Sequence, residues 1–109
     1  MATSYKILGQ AAPGAATLTG LYTVPAATST VVATFSACNR DTSPTTFRLS
    51  IAVAGAADTV AQYLHYDEPI PAGKTFTKTV GLTLAATDVV RVQSGNGLAS
   101  FSAWGAEVT

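Results

Sequence analysis

Charge is scarce in this chain. Six basic and six acidic residues make up 11% of 109 positions and cancel to a formal net charge of zero, where an ordinary soluble domain carries about 25% charged residues. With no basic excess to meet a phosphate backbone or an anionic lipid surface, neither nucleic acid nor membrane is expected as a partner. Cysteine is limited to Cys38, which leaves no intramolecular disulfide and no fold designed around an oxidising compartment. Histidine is limited to His65, and one imidazole without companions cannot complete a zinc site. No Gly-x-Ser-x-Gly elbow and no Gly-Lys-Ser/Thr phosphate loop occurs. No run approaches the roughly 18 apolar residues of a membrane-spanning helix, and the start, Met1-Ala-Thr-Ser-Tyr-Lys, lacks the basic and apolar segments of a secretory signal. Synthesis in the cytoplasm is the expectation.

What the chain has in quantity is Ala and Thr, together about a third of the residues. Hydroxyls rather than charges keep it in solution, and weak self-repulsion suits packing against further copies of itself. At 109 residues a single domain over 1–109 is expected, burying roughly 60–70% of its unfolded surface.

Alternation of period two runs through most of it. In Thr45 to Gly55, Phe47, Leu49, Ile51 and Val53 alternate with Arg48, Ser50 and Ala52, and a one-residue slip would bury Arg48. Thr30 to Cys38 alternates likewise, and the turn-forming Asn39-Arg40-Asp41-Thr42-Ser43-Pro44 between them predicts an antiparallel hairpin. Further strands are expected at Ser4 to Leu8, Thr17 to Val24, Ala61 to Tyr66, Lys74 to Leu84, Asp88 to Ser94 and Leu98 to Val108, with Gly95-Asn96-Gly97 as a hairpin turn between the last two. Gly9 to Ala16 is a low-complexity connection, so residues 1–16 form a candidate N-terminal arm, with Met1 to Gly9 reaching a neighbour. Lys78 interrupts the apolar row of its strand and places that end at a rim. No segment repeats large apolar residues three and four apart, so helix is near absent. Seven to eight short strands predict an all-β, antiparallel two-sheet β-sandwich, jelly-roll-like, with an immunoglobulin-like order as the other arrangement.

The residues that could carry chemistry are few. His65 stands among Tyr63, Tyr66, Asp67 and Glu68, where it could be a base or ligand but reads as a strand residue beside two tyrosines. Asp67 and Glu68 point to opposite faces if extended, a poor acid and base pair, and read as a solvated turn. Cys38 has a single histidine to serve as its base and reads as a small buried or half-buried thiol. Arg40, Arg48 and Arg91 read as rim ion pairs. Trp104, Tyr22, Tyr63 and Tyr66 could form a sugar-stacking platform, although a small core and one interface need such residues anyway. No catalytic residue, cofactor or metal is expected. The candidate interface residues are Tyr5, Tyr22, Tyr63, His65, Tyr66 and Trp104.

Several passages carry a family resemblance: Leu21-Tyr-Thr-Val-Pro-Ala, Val31-Val-Ala-Thr-Phe-Ser-Ala-Cys-Asn39, Thr46-Phe-Arg-Leu-Ser-Ile-Ala-Val53, Ile70-Pro-Ala-Gly-Lys-Thr75, Leu82-Thr-Leu-Ala-Ala-Thr-Asp-Val-Val-Arg-Val92 and Phe101-Ser-Ala-Trp-Gly-Ala-Glu-Val108. Together they resemble the small all-β structural proteins of tailed bacteriophage virions. The resemblance implies a non-enzymatic binding role in the virion: cementing or decorating the capsid as a symmetric homo-oligomer, a trimer first, or serving in the tail, collar or baseplate. Partners would be further copies of the chain and a major capsid or tail protein. A carbohydrate-binding module is the alternative from a different class.

Overall fold

The computed structural model describes residues 2–109; the part of the expected arm at Met1 lies outside them. Eight strands follow in order: β1 (Thr3–Ala11), β2 (Thr19–Thr23), β3 (Ser29–Asn39), β4 (Thr45–Ala52), β5 (Tyr63–Ile70), β6 (Thr75–Leu84), β7 (Val89–Ser94) and β8 (Ala99–Val108). They form two four-stranded antiparallel sheets with the orders β1-β8-β3-β6 and β2-β7-β4-β5. This is the all-β sandwich the alternation predicts, and the interleaved order is that of a jelly roll.

The core lies between the sheets. Phe35, Phe47 and Phe101 are fully buried there and pack with centroids 5.7–6.1 Å apart, beside Leu49, Val90, Val92 and Ile70. Phe76 closes on Phe47 from β6 at 5.1 Å. Each residue comes from the inward row of its strand, so period-two patterning alone supplies the interior.

The connections differ from expectation. β3 and β4 lie in different sheets, as do β7 and β8, so neither Asn39 to Pro44 nor Gly95-Asn96-Gly97 is a hairpin. Both segments cross the end of the sandwich, held by side chains rather than by strand pairing. The Asn39 amide, fully buried, donates to the carbonyls of Ser43, Ile70 and Pro71, and the Asn96 amide donates to Asn39 Oδ1 and Asp41 Oδ2. Turn-rich composition marks a reversal but cannot say whether it stays in one sheet. Among the described residues, β4 and β5 are the one consecutive pair joined as neighbours.

Strand limits shift as well. β4 stops at Ala52, and Val53, expected on the apolar row, is exposed in a short 3-10 turn at Val53–Gly55. β5 continues through Asp67 and Pro69 to Ile70, where a turn was expected; Pro69 is tolerated because β5 is an edge strand. Residues 3–11 of the candidate arm pair with β8 of the same chain from Thr3 to Ala11. Lys78 stands on β6, which is an edge along its whole length.

Two glycines are required by close approach. A Cβ at Gly105 would overlap Val31 O and press on Ala33 N, where β3 bulges between Val32 and Thr34. A Cβ at Gly9 would overlap Leu21 O, where bulged β1 passes β2.

Candidate functional site

The outer face of the β1-β8-β3-β6 sheet is the most distinctive surface. Because Phe35, Ala37, Phe101 and Ala103 fill the inward rows, the register sends the alternate residues outward. β6 contributes Thr75, Thr77, Thr79 and Thr83, which face Cys38, Ser36, Thr34 and Val31 on β3. β8 contributes Ser100, Ser102, Trp104, Ala106 and Val108, and β1 adds Thr3, Tyr5, Ile7 and Gln10. None of these residues is charged.

The charges of the same four strands are elsewhere. Lys6 and Lys78 pair with Gly105 and Phe35 on inward rows, one on each edge strand. Inward-row lysines at sheet edges oppose pairing with a foreign strand. The design leaves the flat face, and not its edges, open to contact.

Within that face an open hollow of about 660 Å³ is lined by Ala33 and Gly105 at its floor and by Tyr5, Lys6, Ile7 and Trp104 around it, with Lys6 paired to Glu107. The floor is low because the β3 bulge sits against a glycine. Tyr5 is 84% exposed and Ile7 55%, so the walls are large apolar groups standing in water. Apolar surface gathered this way marks an interaction site more often than scattered exposure does.

The third charge, Glu107, lies at the end of the sandwich. Its carboxylate accepts from the Tyr22 hydroxyl and pairs with Lys6, while Tyr22 Oη is 2.8 Å from the Thr30 hydroxyl, which is fully buried. The Lys6 contact, and then the Tyr22 hydroxyl, hold the Glu107 carboxyl below its ordinary range. Burial, followed by the Glu107 carboxylate, pushes the Tyr22 phenol up to about 12. Tyr22 is thus a structural tie between sheets rather than a surface aromatic.

The opposite outer face, on the second sheet, holds Tyr63 and Tyr66. Three positions apart on β5, they would point to opposite sides under strict alternation, yet their rings meet edge to face at 5.1 Å and 90°. Register shifts opposite Arg48 and between Leu49 and Ser50 bring them together. At the first, Tyr66 and Asp67 both face Arg48, with Asp67 in the left-handed region at φ 54°. The guanidinium lies 3.9 Å from the Tyr66 ring centroid and its Nε donates to Asp67 Oδ1 at 2.8 Å. That bond holds the Asp67 carboxyl below its ordinary value. The Tyr63 hydroxyl donates to Asp58 Oδ2 at 3.0 Å, and burial, then this bond, raises its pKa.

His65, between these tyrosines in sequence, points the other way. It packs on Phe47 and Phe76 at 5.6 and 5.1 Å, with Nδ1 3.1 Å from Glu68 Oε1. Asp67 and Glu68 do face opposite sides, though as strand residues rather than as a turn. Cys38 projects from the outer face of the first sheet and His65 between the sheets, so thiol and imidazole do not meet. Of the arginines expected to form ion pairs, Arg48 pairs with Asp67, and Arg91 donates to the Gly55 carbonyl. Among the described residues no group of three His, Cys, Asp or Glu side chains is placed to hold a metal ion.

The six candidate interface residues therefore divide. Tyr5 and Trp104 share one outer face, Tyr63 and Tyr66 the other, and Tyr22 and His65 turn inward. Composition held one signal for the first face: strands rich in Thr, Ser and Ala with almost no charge. No protein-family model and no curated protein matches the chain.

Proposed function

We propose that the chain is a non-enzymatic structural protein of a tailed-phage virion, attached to the capsid as a homo-oligomer through the outer face of the β1-β8-β3-β6 sheet. The observation that supports this is the absence of charge from the outward rows of that face, combined with the hollow lined by Tyr5, Ile7 and Trp104, where the one charged lining residue, Lys6, is already paired with Glu107. A flat surface of hydroxyls and apolar groups forms contacts without desolvating ions, which are costly to bury unpaired. Repetition over many copies converts a weak single contact into firm attachment. Lysines on the inward rows of both edges favour contact through the face over strand-to-strand growth.

The test is localisation on intact particles together with mass in solution. Imaging is expected to place the chain on the capsid shell in a symmetric cluster. A Trp104→Arg, Ile7→Glu double variant is expected to stay folded and drop off the particle. Density confined to the tail, or unchanged occupancy of the double variant, overturns the proposal.

A further inference from the structure

We propose that the other outer face carries a binding site for neutral saccharides, centred on Tyr66. This inference rests on different residues from the docking face and stands apart from it.

Tyr66 is 58% exposed and neighbouring Val60 is 91% exposed, and with Tyr63 they line an open hollow of about 390 Å³. An exposed aromatic is ordinarily free to turn, but this ring is held. The Arg48 guanidinium stacks on one face of it at 3.9 Å, Tyr63 and Tyr66 meet edge to face at 90°, and Arg48 is in turn gripped by both oxygens of Asp67 at 2.8 and 3.4 Å. Immobilising an aromatic before a ligand arrives removes an entropic cost from binding.

The polar groups around it are acceptors with spare capacity. A carboxylate offers about four acceptor positions. Asp58 receives the Tyr63 hydroxyl on Oδ2 and Asp67 the guanidinium on both oxygens, which leaves Asp58 Oδ1 and the second lone pairs of the Asp67 oxygens for further donors. A held aromatic ring with an aliphatic neighbour and oriented carboxylates matches a pyranose, whose C–H face is apolar and whose rim donates hydroxyl hydrogens. It does not match a nucleic acid or an acidic glycan, because Arg48 against Asp58 and Asp67 leaves a local charge of minus one among the groups touching the pair.

The experiment uses the full chain, biotinylated and clustered on streptavidin to amplify weak single contacts. The probe is an array of neutral hexose and N-acetylhexosamine oligosaccharides printed beside sialylated and uronate-containing ones. Binding is expected to neutral members alone, reduced about tenfold or more in the monomer titration of Tyr66→Ala and of Asp58→Asn. Trp104→Ala, on the opposite face, is expected to leave it unchanged. Both site variants alter side chains outside the core and should keep a single cooperative unfolding transition, lowered by no more than a few degrees, so their loss of binding is not loss of fold. Absence of binding across the array, binding to acidic glycans, or full binding by Tyr66→Ala overturns the inference. None of these results bears on the capsid assignment, which the Trp104→Arg, Ile7→Glu variant tests separately.

Discussion

Glu107 gives the sharpest test of how the two sheets are tied together. Replacing it with Gln keeps the shape but removes the ion pair to Lys6 and makes the acceptor of the Tyr22 hydroxyl neutral. A hydrogen bond to a charged group contributes about 1.5–3 kcal/mol against about 1 for a neutral one. Lys6, nearly half exposed, adds at most about 1 kcal/mol. The loss at neutral pH is therefore about 2 kcal/mol, which in a domain of this size lowers the melting temperature by about 8–12 °C. The pH dependence follows from the direction of the shift. The carboxyl is held below its ordinary 4.5, so its stabilisation is fully present above that value and disappears as pH falls through the depressed folded pKa. Urea unfolding of wild type and Glu107→Gln from about pH 7 to about pH 3 should show a gap that closes toward the acid end. An equal gap at both ends, or none at neutral pH, would refute the reasoning.

Other outcomes follow from the same structure. Because the Tyr22 phenol is raised to about 12 from 10, the folded state keeps a proton that the unfolded chain releases; stability should fall between those values, and less steeply in Tyr22→Phe, as alkaline urea titrations would show. Gly105→Ala should cost about 3 kcal/mol or more, since the added methyl overlaps the backbone of a central strand that cannot yield; a wild-type urea midpoint would contradict this. Ser50→Ala should be neutral or stabilising, because its fully buried hydroxyl has no partner; a loss above about 1 kcal/mol would reveal a hydrogen bond not accounted for. Phe47→Ala should cost about 3–5 kcal/mol, since its ring joins Phe35, Phe76, Phe101 and His65, and calorimetry would register it.

Alternation of Phe47 and Leu49 with Arg48, or of Phe101 and Ala103 with Ser100 and Ser102, was enough to predict strands, a sandwich and most of its core. A period-two pattern has only one way to bury its apolar row. The scarcity of charge was equally open to reading, and with it the character of the face that Thr75, Thr77, Thr79 and Thr83 border. These properties are local, because they depend on residues one and two positions apart.

Pairing was not local, and there the sequence by itself fell short. Asn39 to Pro44 and Gly95 to Gly97 look like hairpin turns, but buried Asn39 and its partner Asn96 anchor them as crossings between sheets. Tyr63 and Tyr66 should diverge by alternation, and only bulges set by the register against β4 turn both toward Arg48. Tyr22 looked like a surface aromatic until Glu107, 85 residues later, met it across the sandwich. The sequence determined that most of the chain is extended and, away from the bulges in β3 and β5, which side of a strand is apolar. The tertiary structure decided which strands lie side by side, because that choice depends on closing loops over long separations, where no neighbour in the chain records the partner.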